Sequence, residues 1–146
     1  MLTLIAACLL TLPGPVTEPF APIGAYDGHW GVDVAVPEGA VVAAPLDGVV
    51  SFAGTVAGVR TVTIRNGPFR VSLSYLQAID VTAGNVVWRG DPIGQAGTPH
   101  GRPGLHIGLR RGTTYVDPAA HARCGPRMTG TMRLLPPMLV PPVSKD

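Results

Sequence analysis

The chain has 146 residues, of which 46% are hydrophobic and 14% are charged, so its length and composition suit one folded domain with a buried core. Nineteen glycines and sixteen prolines interrupt short runs of valine, isoleucine and threonine. This pattern excludes a helical bundle and predicts a turn-rich all-β protein. The formal net charge of +2 is too small to indicate nucleic-acid binding, so no nucleic-acid partner is expected.

The chain begins with an apolar segment. Residues 2–12 read LTLIAACLLTL, an uncharged run that is too short to cross a bilayer as a helix but has the length of a signal-peptide hydrophobic region. We therefore expect a leader and a Pro-rich approach over residues 1–19, export to the cell envelope or the medium, and no transmembrane span. A buried first strand is the alternative. Residues 5–8 also have the small-residue pattern of a lipoprotein box, but most of the apolar run follows Cys8, which argues against a lipid anchor there.

The two cysteines, Cys8 and Cys124, are far apart and neither belongs to a CxxC pair. Metal binding by thiolates is therefore not expected. Removal of a leader would leave Cys124 as the only thiol. A disulfide between Cys8 and Cys124 is the alternative, although nothing in the sequence supports it.

From Gly28 onward, short strands alternate with turns. The predicted strands are 41–44, 49–53, 61–65, 69–76, 86–88, 92–94, 105–110 and 114–116. Asn66-Gly67 is a strong hairpin signal, and residues 117–121 suit one helical turn. The domain is expected over residues 20–122, followed by a Pro-rich tail over 123–146. Strands of this length and spacing predict a single all-β domain, a barrel-sandwich hybrid of short antiparallel strands.

Three residues form a candidate metal site. His29 and Asp33 stand four apart in HWGVD, and on one strand both side chains would point to the same face. His106 lies between apolar neighbours on a later predicted strand. Two imidazoles and a carboxylate suit zinc with one open position. Taken singly, the pair also fits a surface hydrogen bond, and His106 fits a satisfied core histidine, so these residues alone leave the site open.

Four stretches of the chain together resemble the lysostaphin-like zinc metallopeptidases, which cleave peptide cross-links in bacterial peptidoglycan. They are GHWGVDVAVPEGAVVAAPLDGVVSFAG (28–54), VSLSYLQAI (71–79), VTAGNVVWRGDPIGQAG (81–97) and GLHIGLRRGTTYVDP (104–118). They cover nearly the whole predicted domain in the family's order. The resemblance implies that His29, Asp33 and His106 hold Zn²⁺ and that the partner is a peptidoglycan peptide or another wall polymer.

The sequence departs from that family at two catalytic positions. The family's Tyr-x-His reads Tyr75-Leu76-Gln77 here, and the first histidine of its His-x-His is Gly104. In the family these histidines orient water and stabilise the oxyanion, and the loss of one oxyanion donor typically lowers the rate by about 100- to 1000-fold. Gln77 still donates a hydrogen bond but is not a base. We expect Tyr75 and Gln77 to face the metal cleft.

His100 is the candidate replacement for the missing histidines. It lies six residues before His106 in a Gly/Pro-rich loop that could bring it to the metal, although the same position suits an exposed histidine.

Two functions remain open from the sequence. The first is an exported zinc endopeptidase that acts on peptidoglycan, and the second is a catalytically inactive wall-binding or hydrolase-regulating module. A biotinyl- or lipoyl-carrier domain of similar architecture needs a lysine at a hairpin tip, but the only lysine, Lys145, lies in the tail. A monomer is expected. Six arginines between Arg102 and Arg133, against one acidic residue, indicate either a solvated basic face or contact with an anionic surface.

Overall fold

The computed structural model describes residues 8–123. Within them the chain forms thirteen short strands, one 3-10 turn (Pro99–Gly101) and one α-helical turn, α1 (Pro118–His121). The strands in chain order are β1 (Val16–Glu18), β2 (Ala21–Ile23), β3 (Asp27–His29), β4 (Val32–Val34), β5 (Val41–Ala43), β6 (Gly48–Val56), β7 (Val59–Asn66), β8 (Phe69–Ser74), β9 (Leu76–Ile79), β10 (Val86–Val87), β11 (Pro92–Ala96), β12 (Leu105–Arg111) and β13 (Thr114–Val116).

The described strands form three antiparallel sheets. The large sheet has the order β1-β4-β12-β8-β7-β6-β10, with β13 also paired to β12. A second sheet has the order β5-β11-β9, and β2 pairs with β3 in a separate hairpin. The predicted all-β single domain is confirmed, and its sheets stay open rather than closing into a barrel.

Alternation along the central strands separates a core face from a polar face. Val62 and Ile64 of β7 and the paired Val71 and Leu73 of β8 are fully buried in the core. Because successive side chains point to opposite faces, the threonines and serines between them line the other side of the sheet. That polar face carries the site described below.

The predicted hairpin at Asn66-Gly67 is confirmed, since Asn66 pairs with Phe69 and Gly67 has a φ of 54°. The predicted strand 69–76 is not continuous. Tyr75 has a φ of 67°, which turns the chain out of the large sheet after β8 and into the three-stranded sheet as β9. A left-handed backbone at a bulky aromatic residue is uncommon, and nothing in the local sequence predicts it.

Part of the predicted leader and approach packs against the domain. Leu10 is fully buried, and the Thr11 amide donates to the Pro45 carbonyl at 2.9 Å. β1 pairs with β4, so the large sheet includes residues before the expected domain start at residue 20. Residues 8–12 form no strand, unlike the buried first strand of the alternative interpretation.

The described range leaves out both ends of the chain. Residues 1–7, the Pro-rich tail from residue 124 onward and Cys124 lie outside it. Cys8 is disulfide-bonded, an arrangement that nothing in the sequence supported. Among the described residues, no helix is long and apolar enough to cross a bilayer.

Leu10→Ala in the intact chain is expected to lower the free energy of unfolding by about 2–4 kcal/mol, because it leaves a cavity in the core. Urea denaturation measures the change. Ile23→Ala is the control, because Ile23 is 66% exposed and its truncation should cost less than about 0.5 kcal/mol. Equal effects of the two substitutions would contradict a structural role for Leu10.

Candidate metal centre

Three different strands bring the predicted metal ligands together. Asp33 of β4 and His106 of β12 are direct cross-strand partners in the large sheet. His29 ends β3, which belongs to the separate hairpin, and the chain bends at Trp30 and Gly31 before β4 begins. The expectation that His29 and Asp33 share one strand is therefore wrong. The bend, rather than strand periodicity, returns the imidazole to the carboxylate.

The donor atoms of these residues converge on one point. His106 Nδ1 lies 2.8 Å from Asp33 Oδ1, and His29 Nε2 lies 3.2 Å from both of those atoms. His100 Nε2 lies 3.5 Å from the other carboxylate oxygen, Oδ2. One donor atom from each of the four residues lies within 4.8 Å of every other. The structure thus brings His100 to the three predicted ligands.

The tautomer of His29 favours a cation at this point. Its Nδ1 lies 2.8 Å from the Pro19 carbonyl, which only accepts, so Nδ1 carries the proton and donates it. In the neutral ring Nε2 then has a free lone pair aimed at a carboxylate oxygen and at His106 Nδ1. A proton on His106 Nδ1 cannot form full hydrogen bonds to both His29 Nε2 and Asp33 Oδ1. A cation between the three atoms would bond to each of them. A backbone carbonyl that fixes the ring in this way is typical of metal-binding histidines.

The spacing and chemistry of the donors fit a metal ion such as zinc. Tetrahedral zinc with bonds of about 2.0–2.1 Å places its ligand atoms roughly 3.3–3.4 Å apart. The three contacts among His29, Asp33 and His106 are 2.8–3.2 Å long, so shifts of a few tenths of an ångström would admit the ion. These four residues could hold a metal.

Burial lowers the pKa of His106 below its ordinary value, because desolvation penalises the charged ring. The hydrogen bond and charge of Asp33 oppose this shift, but burial is the larger effect. The lowered pKa favours the neutral ring, which is the form that binds a metal.

Gly31 makes room for the His106 ring. A Cβ atom at position 31 would lie 2.7 Å from His106 Nε2 and 2.4 Å from the Ile107 carbonyl oxygen. Both distances are too short for real contacts, so a side chain here would displace the ring or β12. The glycine of HWGVD thus has a steric function that spacing alone does not reveal.

A short loop carries His100 to the cluster. The Gly104 amide donates to the Gly97 carbonyl at 3.0 Å and closes the loop at its base. His100 sits at the tip with a left-handed φ of 51°. At Gly104 a Cβ would lie 2.3 Å from the Val34 carbonyl oxygen, so this backbone has no room for a side chain there.

Tyr75 and Gln77 have different surroundings. The centroid of the Tyr75 ring lies 5.5 Å from that of the His100 ring. Tyr75 therefore packs against His100, and that histidine connects it to the metal ligands. Gln77 is exposed on β9 and its amide donates to Gln95 at 3.4 Å. None of the contacts found for Gln77 among the described residues reaches the metal ligands.

A groove of about 590 Å³ runs from His106 along the polar face of the large sheet. Its floor carries paired hydroxyls, with Thr61 donating to Ser74 at 3.0 Å and Thr63 lying 2.8 Å from Ser72. Trp30 and Tyr115 form one wall, their rings in edge contact at 5.5 Å. These groove residues were not predicted from the sequence, although the alternation of threonine with valine and isoleucine in 61–64 is typical of such a face.

A protein-family model described as Peptidase family M23 matches residues 27–118, more than half of the chain. The chain belongs to peptidase family M23. Members of this family are metallopeptidases, which agrees with the four converging donors.

Solved structures of this family share the fold. Csd3 of Helicobacter pylori is 28% identical with a TM-score of 0.69, over 82% of this chain and 34% of that one. An M23-family protein of Pseudomonas aeruginosa is 30% identical with a TM-score of 0.65, over 82% and 53%. The antimicrobial peptidase lysostaphin of Staphylococcus simulans is 25% identical with a TM-score of 0.62, over 83% and 56%.

The chain therefore spans about a third to a little over half of these three relatives. A comparison with curated proteins found no match.

Asp33→Ala and His106→Ala are each expected to abolish retention of added zinc, because each removes one of three converging ligands. His121→Ala is the control, since His121 Nδ1 donates to the Asp117 carbonyl on α1 and lies outside the cluster. Elemental analysis after gel filtration gives the zinc content. Stoichiometric zinc in either ligand variant would refute the assignment.

Proposed function

We propose that the protein is an exported zinc endopeptidase that cleaves peptide cross-links of bacterial peptidoglycan. The observation that carries this proposal is the convergence of His29, Asp33 and His106, of which His106 also lines the groove, in a chain of the M23 family. The similarity to lysostaphin, an antimicrobial peptidase, supports it. Export follows from the location of such a substrate outside the cell membrane.

The groove suits an extended peptide. Serine and threonine hydroxyls each offer one donor and two acceptor positions, so the paired hydroxyls of the floor retain capacity for peptide N–H and C=O groups. The wall formed by Trp30 and Tyr115 limits where side chains fit. A peptide bound along this floor would place one of its carbonyl groups beside His106.

Zinc at the cluster would polarise that carbonyl and lower the pKa of a bound water toward neutrality. His29, Asp33 and His106 would hold this zinc. The Pro19 carbonyl keeps the His29 ring in the tautomer whose Nε2 is free to bind it.

His100 is the proposed proton acceptor. Its Nε2 lies 3.5 Å from Asp33 Oδ2, while 59% of its side chain stays exposed, so it reaches both the site and solvent water. Imidazole is the side chain that most often serves as a general base. Tyr75 packs beside the ring and acts as a positioning residue. Both residues have left-handed backbones, and such strain concentrates at functional sites.

The second candidate function also rests on His100. Four protein ligands close a zinc site, as in structural centres, whereas catalytic centres keep one position open. If His100 binds the metal as the fourth ligand, the domain is an inactive wall-binding or hydrolase-regulating module. The four-donor cluster makes this arrangement geometrically available.

His100→Ala separates the two functions. As a proton acceptor its loss should lower the cleavage rate by about 10²- to 10⁴-fold with zinc retained, because general acid–base catalysis contributes effects of that size. His121→Ala is the matched control, with an unchanged rate expected. Weakened zinc binding in His100→Ala would favour the closed site, and an unchanged rate would remove His100 from the mechanism.

Digestion of purified peptidoglycan tests the proposed activity directly. Intact protein with zinc should release new peptide ends, detected by mass spectrometry of the muropeptides, and a chelator should abolish their release. Asp33→Ala provides a control protein that lacks a ligand. Intact muropeptides after exposure to protein shown to hold zinc would refute the endopeptidase and favour the inactive module.

A further inference from the structure

The polar face of the large sheet is organised in cross-strand rows. The row nearest the metal site consists of directly paired residues on four neighbouring strands, Thr61, Ser74, His106 and Asp33. Four residues further along β7, β8 and β12 lies a second row, made of Arg65, Arg70 and Arg110, with Tyr115 of β13 paired to Arg110. Because the two rows are separated by an even number of residues, they share one face of the sheet.

The second row concentrates positive charge without counter-charges. Arg70 is paired with Arg65 on one side and with Arg110 on the other. Like charges directly opposite each other destabilise a sheet. The ion pairs formed within residues 8–123 all involve Asp33 with a histidine, so no carboxylate of the described chain neutralises this row.

Two of these arginines belong to the groove. Arg70 and Arg110 both line it together with His106, and no acidic residue lines it. The Arg110 guanidinium lies 5.5 Å from the centre of the Tyr115 ring, and this cation–π contact holds it over the wall of the groove. The groove therefore connects His106, one of the metal ligands, to two guanidinium groups four residues further along the sheet.

We propose that Arg70 and Arg110 form a carboxylate-binding subsite that selects peptides with an acidic group about four residues from the bond at the metal site. This inference rests on the proposed function. Four residues of strand correspond to about 13 Å, which four residues of an extended peptide also span. Guanidinium groups bind carboxylates with paired hydrogen bonds, so an occupied subsite would also relieve the repulsion within the row.

A peptide carboxylate fits the subsite better than a phosphate polymer does. The two arginines lie in the same groove as His106, over hydroxyls that suit peptide groups, rather than on an open basic surface. A wall polymer carrying phosphates would need no connection to the metal site.

The test compares two forms of one synthetic cross-linked stem peptide, with its carboxylates free or converted to primary amides. Binding to the zinc-loaded intact protein is measured by calorimetry at 4 °C, and the peptide is checked afterwards by mass spectrometry. The acid form should bind about fivefold more tightly than the amide form, since partly exposed charge pairs contribute modestly. The double variant Arg70→Gln with Arg110→Gln should bind both forms equally.

Arg111→Gln is the matched control. Arg111 follows Arg110 on β12 but points to the other face, where it lies 5.7 Å from the Phe69 ring, so this variant should keep the preference for the acid form. A double variant that keeps the preference, or that loses affinity for both forms alike, would overturn the proposal.

Polyphosphate tests the other anion source. Binding that depends on the two arginines, without any preference between the two peptides, would assign the site to a phosphate polymer and overturn the proposal. A preference for the acid form without cleavage of either peptide would support the subsite while refuting the endopeptidase.

Discussion

The pairing of β4 with β12 is the constraint on which the site depends. Their register places Asp33 opposite His106, and the alternating side chains on either side of this pair belong to the core. A slip of one residue would send a ligand into the core and a valine or isoleucine to the polar face, at a large hydrophobic cost. The core therefore fixes the relative position of the two ligands. Gly31 completes the arrangement by leaving space for the His106 ring.

The sequence predicted much of the fold because the relevant signals are local. Alternation marked β7 and β12, and Asn66-Gly67 marked the hairpin that joins β7 to β8. The break at Tyr75 and the strands before Val32 were not predicted. Those early strands are three residues long and largely exposed, so they carry little hydrophobic pattern, and their pairing depends on distant partners.

The candidate site was predicted as a set of residues but not as a geometry. The family resemblance indicated His29, Asp33 and His106. It did not indicate the bend at Trp30 and Gly31, which brings His29 and Asp33 together although they lie on different strands. The sequence left two interpretations of His100 open, a residue at the metal site or an exposed histidine. No sequence rule shows in which direction such a loop presents its side chains. Gly104 and His100 belong to one loop, whose backbone excludes a side chain at position 104 and presents the imidazole of His100 to Asp33.

The central claim is that these donors form one zinc site. Anomalous X-ray diffraction at the zinc edge from crystals grown with zinc tests this most directly. We predict one strong peak about 2.0–2.1 Å from His29 Nε2, His106 Nδ1 and an oxygen of Asp33, with His100 beyond bonding distance. A peak elsewhere on the chain, or none in crystals of protein that binds zinc in solution, would contradict the account.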